Sequence, residues 1–264
     1  MSKRTALVTG ASDGIGAEFI KILASRDYNL ILVARREDRL NDLADEVSSR
    51  FGVQCHVIAL DLSGSRAAQD LFNTVEEKGL HVDFLINNAG LLYNGFFTEL
   101  GIAEQERMIA VNVLALTSLT HLYAANMSSR GGGHILNVAS LAGWMAIPNQ
   151  NVYAATKAYV LAFTQALSNE MIAADSCVQV SALCPGYTDT KMMDNPDQGA
   201  KLHIPSRMMM SASDVANIGI KSCLAGKALI VPGFANKFTA IITHFFSKTI
   251  LTKFVGYIYR KNMG

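Results

Sequence analysis

The stretch TALVTGASDGIG, residues 5–16, decides the fold. It opens as a short apolar run of strand character, breaks at a glycine, and passes into a helical pattern, AEFIKILASR, at residues 17–26. Gly10, Gly14 and Gly16 permit a tight turn and let a pyrophosphate approach backbone N–H groups at a helix N-terminus. Turns are glycine-rich for many reasons, so the triplet gains its meaning from standing between a strand and a helix. The spacing, G-x-x-x-G-x-G, is one residue longer in its first gap than the usual dinucleotide fingerprint. The contacts expected on this loop are Gly10, Ser12, Asp13, Gly14, Ile15 and Gly16.

Outward from this loop the alternation continues. YNLILVA (28–34) precedes a charged helix, REDRLNDLADEVSSRF (36–51), and VQCHVIAL (53–60) precedes a helix near 64–78. VDFLINNAG (82–90) leads to a long helical pattern at 103–127, and HILNVAS (134–140) leads to the segment NVYAATKAYV at 151–160. VQVSALCPG (178–186), a helix at 214–224 and KALIVPG (227–233) complete the series. Seven apolar strands alternating with helices predict an α/β fold, a doubly wound parallel seven-stranded sheet of Rossmann type with helices on both faces. Its ligands belong at the carboxyl ends of the strands. The expected organisation is a dinucleotide-binding core at 1–190, a substrate lobe with the last strand at 191–233, and an amphipathic extension at 234–264.

Composition narrows the function. The chain has 264 residues, half of them hydrophobic and only 17% charged, so a large core is affordable and disorder is not expected. A formal net charge of +1 argues against a nucleic-acid partner. The four cysteines, Cys55, Cys177, Cys184 and Cys223, form no C-x-x-C pair and read as reduced, buried thiols; the six histidines lack zinc spacing, so no metal is expected. The first apolar run is too short for a signal peptide, and no run reaches the roughly 18 uninterrupted apolar residues of a membrane span. A cytoplasmic protein is expected.

The second strand ends in LILVARR, with no acidic residue to hold ribose hydroxyls. Ala34 is followed by Arg35 and Arg36, with Arg39 one turn on. Cations are unfavourable at a helix N-terminus unless an anion answers them. A guanidinium there suits a 2′-phosphate, which favours NADP as the cofactor.

Tyr153 and Lys157 stand four residues apart, which on a helix puts phenol and ammonium on one face. A tyrosine of ordinary pKa, about 10, is a reluctant base at neutral pH. A neighbouring ammonium would lower it towards working range and make the phenol a proton donor to a ketone or an acceptor from an alcohol. Ser140, just past the fifth strand, is placed to hold the substrate oxygen. Asn112 lies inside the long helix, on the side shared by Met108, Ala115 and Leu119. Its amide must find partners there or cost stability, which suggests a conformational or water-binding role.

These residues resemble the short-chain dehydrogenase/reductase family over about residues 3–190. T-G-x-x-x-G-x-G, N-N-A-G at 87–90, and an Asn–Ser–Tyr–Lys tetrad at Asn112, Ser140, Tyr153 and Lys157 all match, with Ser140 thirteen residues before Tyr153. The resemblance implies that Tyr153 exchanges the proton and Ser140 orients the carbonyl. Lys157 binds the nicotinamide ribose and lowers the tyrosine pKa, and Asn112 holds a relay water. It further implies cofactor contacts at Asn88, Ala89 and Gly90, at Asp61 near the adenine, and at Pro185, Gly186, Thr188 and Thr190 of the loop PGYTDT. One departure is Asp13, where some NADP-preferring relatives carry a basic residue. The activity implied is NADP(H)-dependent interconversion of a ketone and a secondary alcohol. The alternatives are a non-catalytic NADP(H)-binding regulator of the same fold, and an epimerase or dehydratase using transient hydride transfer.

Methionines Met192, Met193 and Met208–Met210 give the substrate lobe an adaptable apolar surface. Ordinary core packing would account for them equally well; the substrate expected is a hydrophobic ketone or secondary alcohol, whether fatty-acyl, steroid-like or terpenoid. In the extension, Phe238, Ile241, Ile242, Phe245, Phe246, Ile250, Leu251, Phe254, Val255 and Ile258 recur at helical spacing, with Lys237, Lys248, Lys253, Arg260 and Lys261 among them. Something must cover this stripe. The expectation is that it packs on the protein's own lobe or a sister subunit, helping to close the substrate pocket and joining the interface of a homo-dimer or homo-tetramer; peripheral membrane contact is the alternative.

Overall fold

A computed structural model of the protein describes residues 3–190, 208–245 and 247–262. Met192, Met193 and Phe246, which figure in the sequence reading, lie outside the described residues. The seven core strands are β1 (Thr5–Thr9), β2 (Asn29–Ala34), β3 (Cys55–Ala59), β4 (Phe84–Asn87), β5 (Gly133–Val138), β6 (Val178–Leu183) and β9 (Leu229–Ile230). They form one parallel sheet in the order β3-β2-β1-β4-β5-β6-β9. Every residue of β1 and β4 is buried, as expected of central parallel strands covered on both sides. The strand order reverses between β1 and β4, which opens a crevice beyond their carboxyl ends. Thr9 and Asn87 end those strands, so the glycine loop and the N-N-A-G segment face each other there.

The helices sort to the two faces by where their apolar residues fall. One face carries α1 (Gly14–Ser25), α2 (Glu37–Phe51) and α7 (Ala212–Leu224), whose Phe19, Ile20, Leu40, Val215 and Ile220 pack on Val8, Leu32 and Leu136. The other carries α3 (Ala67–Glu77) and α5 (Leu116–Ser129), whose Leu71, Val75, Leu119, Tyr123 and Met127 pack on Leu7, Ile31 and Ile135. Helix α3 begins later than its sequence pattern, because the Asp61 carboxylate takes the Ser63 N–H at 3.0 Å and its hydroxyl at 2.8 Å, holding a turn ahead of the helix.

The long pattern at 103–127 is not one regular helix. It is α4 (Ile102–Ile109), a π-helical turn at Ala110–Ala115, and α5. Such turns mark functional positions in helices, and this one holds Asn112. Among the described residues the stretch Ile102–Ser129 is long and apolar enough to cross a membrane, but half of its most apolar window is buried within the fold. A 3₁₀ turn, Leu141–Trp144, precedes α6 (Asn151–Ala173), the helix of Tyr153 and Lys157. Two short strands, β7 (Thr188–Asp189) and β8 (Met210–Ser211), pair beside the sheet.

The C-terminal extension forms α8 (Phe234–Phe245) and α9 (Lys248–Asn262). The expectation that its apolar stripe packs on the protein's own lobe holds only in part, for Ile242, Leu251 and Val255, which are half-buried. Phe238, Ile241, Ile250 and Phe254 are exposed, and the inward positions are the smaller Ala240, Thr243 and Gly256. Val255 does reach inward, packing on a cluster of Ala142, Ile147 and Ala154 beside Tyr153. The cysteine reading also needs a correction, since Cys177 is exposed beyond the end of α6, ahead of β6.

Candidate active site

The glycine loop is built by close approach. Gly10 has φ +66°, and a Cβ there would lie 2.9 Å from the Ala89 Cα and from the Asn88 side-chain nitrogen. A Cβ on Gly16 would collide with the Gly10 carbonyl oxygen, so the helix start and the loop share space that only glycine leaves. Thr9 binds the two halves together: its hydroxyl oxygen accepts from the backbone N–H groups of Asn88 and Ala89, each at 3.0 Å. Asn88 returns the tie, donating from Nδ2 to the carbonyls of Thr9 at 2.9 Å and Gly10 at 3.2 Å. Asn88 therefore shapes the loop as well as bordering the crevice. Asp13 caps α1, accepting from the Gly14 N–H at 2.8 Å.

The crevice has a volume of about 670 Å³. It brings together Gly10, Ser12, Asp13, Gly14, Ile15, Gly16, Arg35, Arg36, Arg39, Asp61, Asn88, Ala89, Gly90 and Thr190. Its apolar walls, Val33, Leu60, Leu62, Leu91 and Val111, escaped sequence reasoning because ordinary strand-end and helix residues carry no motif. Tyr153, Lys157, Pro185, Gly186 and Thr188 do not line it and form a second group alongside. Gly90 joins the two groups, since a Cβ there would stand 3.4 Å from the Asn112 side-chain oxygen and 3.6 Å from Lys157 Nζ.

At the far end of the crevice Asp13 pairs with Arg39 at 2.9 Å and with Arg36 at 3.6 Å, while Arg36 also donates to the Ser12 hydroxyl at 3.0 Å. Arg35 makes no ion pair among the described residues. Asp61 is held by Ser63 and by a salt bridge from Arg107 of α4, a partner the sequence did not suggest. Partial burial works to raise the Asp61 pKa, but the Ser63 hydrogen bonds and the Arg107 guanidinium outweigh it and hold the carboxyl below its usual range.

Ser140 caps the 3₁₀ turn, its hydroxyl accepting from the Ala142 N–H at 3.1 Å and donating to the Pro185 carbonyl at 3.5 Å, and it stands near enough to Tyr153 to favour the phenolate. Asn112 is fully buried. Its oxygen accepts from the Leu91 N–H at 2.8 Å, and its nitrogen donates to the Leu91 carbonyl at 2.9 Å and the Thr156 hydroxyl at 3.1 Å. The amide thus locks the segment after Gly90 to α6, one residue from Lys157. Pro185 accepts from the Leu141 N–H at 2.9 Å, which sets its loop against Ser140. Thr188 donates to the Gly186 carbonyl at 3.1 Å, and Gly186 lies against the Asn236 side chain of α8.

One electrostatic expectation is corrected. Burial pushes the Tyr153 phenol above its usual range, and the nearby Ser140 hydroxyl offsets only part of this. Lys157 does not counter it, because its Nζ is 5.8 Å from the ring centroid and donates instead to the Val138 carbonyl at 2.8 Å. Burial pulls Lys157 itself down to about 8, with the Cys184 thiol opposing weakly. The tyrosine sits where a proton can be exchanged, but the chain alone does not acidify it.

The crevice fits a dinucleotide on structural grounds: glycines packed too closely for a Cβ, a helix N-terminus facing the gap, and arginines at its far end. Comparison with known proteins agrees. The profile of the family described as short chain dehydrogenase matches residues 4–201. A very-long-chain 3-oxoacyl-CoA reductase of Rattus norvegicus is 31% identical over 223 residues, covering 82% of this chain and 67% of its own. A short-chain dehydrogenase from Sphingobium yanoikuyae, solved in complex with NADPH, superposes with a TM-score of 0.80 at 28% identity, covering 92% of this chain and 93% of that one. A short chain dehydrogenase/reductase from Burkholderia phymatum, solved in complex with NAD, gives 0.81 at 25% identity over 92% and 94%. With a family profile over three quarters of its length and relatives alike in sequence and fold, the chain belongs to the short-chain dehydrogenase family and is one of its oxidoreductases.

Proposed function

We propose that the protein is an NADP(H)-dependent reductase of a hydrophobic ketone, working reversibly on the corresponding secondary alcohol. The observation that carries this reading is the placement of Ser140 by the Tyr153 phenol and beside buried Lys157, next to a crevice whose far side holds Arg35, Arg36 and Arg39. The cofactor, when bound, supplies or accepts the hydride. The chain supplies the rest. The Ser140 hydroxyl holds the substrate carbonyl oxygen, and the Tyr153 hydroxyl donates the proton to it as the alcohol forms. Asn112 keeps Leu91 and Thr156 in register, so that Lys157 stays at Gly90.

The preference for NADP over NAD rests on the arginines. Asp13 engages Arg36 and Arg39, which leaves Arg35 as the guanidinium to meet a 2′-phosphate. For the substrate, the rat relative's name and the apolar surroundings of Tyr153, where Met145, Ile147 and Val255 gather, support a 3-oxoacyl thioester or a similarly bulky ketone. The test is NADPH consumption by purified protein with acyl-thioester, polycyclic and short aliphatic ketones. Turnover that rises with the apolar size of the ketone is expected. Cofactor binding without turnover of any ketone would overturn the reading in favour of a cofactor-binding regulator.

A further inference from the structure

The two C-terminal helices are built the wrong way round for a soluble domain. A surface helix normally turns its large apolar side chains inward. Here Phe234 is 87% exposed, and Phe238 and Ile241 58% each; on α9, Ile250 is 63% exposed and Phe254 and Tyr257 61% each. Both sets follow the same i, i+4, i+7 spacing, so each helix presents one continuous outward stripe. The inward side carries Ala240, Thr243 and Gly256, with Ile242, Leu251 and Val255 half-buried.

The charge of the chain is divided in the same place. From residue 215 to the end the sequence contains Lys221, Lys227, Lys237, Lys248, Lys253, Arg260 and Lys261 and no Asp or Glu. The last 50 residues therefore carry +7 in a chain whose net charge is +1, which leaves −6 on the rest. Lys237 immediately precedes Phe238, and Lys253 immediately precedes Phe254; all four side chains are exposed. Lysine is depleted at protein–protein interfaces, whereas lysine among aromatic and aliphatic residues suits the boundary of an anionic bilayer. At 1.5 Å per residue α8 and α9 are about 18 and 22 Å long, too short for the roughly 30 Å hydrocarbon core, so they would lie in the surface plane.

We infer that α8 and α9 dock the protein on an anionic lipid surface through the Phe234–Phe238–Ile241 and Ile250–Phe254–Tyr257 stripes. Phe254 faces the lipid while its neighbour Val255 touches the Tyr153 cluster, so one helix thickness separates the bilayer from the reaction site. The surface would bind lipid whatever ketone the site accepts.

The experiment is co-sedimentation of the full-length protein with phosphatidylcholine vesicles, with and without phosphatidylglycerol. Binding to the mixed vesicles is expected, weakening by roughly tenfold or more on pure phosphatidylcholine or in high salt. Phe238→Ser with Phe254→Ser should abolish sedimentation while leaving the circular dichroism spectrum and NADPH affinity unchanged. Lys237→Glu with Lys253→Glu, which spares the apolar stripe, should do the same. Absence of wild-type binding to either vesicle would overturn the inference. So would a wild-type dimer in sedimentation velocity that the phenylalanine variant converts to monomer, since a second copy would then own the surface.

Discussion

Lys157 Nζ donates a 2.8 Å hydrogen bond to the backbone carbonyl of Val138, two residues ahead of Ser140. This bond pins α6 to the end of β5 and sets the distance between the serine and tyrosine that share the reaction site. Its cost is a buried ammonium, with a pKa of about 8 against 10.5 for a free lysine. The folded state therefore binds fewer protons than the unfolded chain between about pH 8 and 10.5, and in that window stability rises with pH. Lys157→Met should accordingly be more stable than wild type at pH 7, by up to ~3 kcal/mol. The difference should shrink as pH rises through 8 towards 10.5. Denaturant melts of both proteins across that range check it, and a gap independent of pH would show that the ammonium is not what burial penalises.

Tyr153→Phe removes one hydroxyl and keeps the ring in its cluster of Ala142, Ile147 and Ala154. Ketone turnover should fall at least a hundredfold, within the ~10²–10⁴ range of general acid catalysis. Cofactor affinity should stay within a few-fold, read by fluorescence titration with NADPH. Loss of both together would mean that the phenol acts mainly in binding.

Arg35→Ala should weaken NADPH binding roughly ten- to a hundredfold, the worth of ~1.5–3 kcal/mol for a charge-assisted contact, and leave NADH little changed. Asp13→Asn keeps an N-cap for α1 but releases Arg36 and Arg39. It should shift selectivity further towards NADPH. Titration of both cofactors against the three proteins decides the matter; an unchanged ratio in Arg35→Ala would pass the role to Arg36 or Arg39.

Gly16→Ala would drive a methyl group into the Gly10 carbonyl and force the loop off the helix N-terminus. Losing one N–H contact to a pyrophosphate corresponds to roughly tenfold or more in cofactor affinity. The same change at Gly79 meets no atom within 4 Å, but its φ of +64° is strained for alanine, so it controls for backbone strain alone. Equal NADPH affinity in the two variants would show that the collision leaves the loop's hold on the cofactor intact.

What the sequence determined by itself was local or periodic. The strand–loop–helix at residues 5–16, the alternation of seven strands with helices, and the four-residue spacing of Tyr153 and Lys157 follow from steric rules and helical repeat that act within a few residues, whereas the full tetrad with Asn112 and Ser140 was legible through the family resemblance. Thr9 and Arg107 could not be found this way. Thr9 joins the site through N–H groups 79 and 80 residues along, and Arg107 through a carboxylate 46 residues back. The sense of the Tyr153 shift was also tertiary, because burial depends on everything packed around the phenol, and Lys157 had Val138 as a nearer partner. The tail shows the same division. Periodicity established that residues 234–262 form helices with an apolar stripe; which way the stripe faces depends on the shape of the surface beneath, where Ala240, Gly256 and Val255 fit against the fold and Phe234, Phe238 and Phe254 do not.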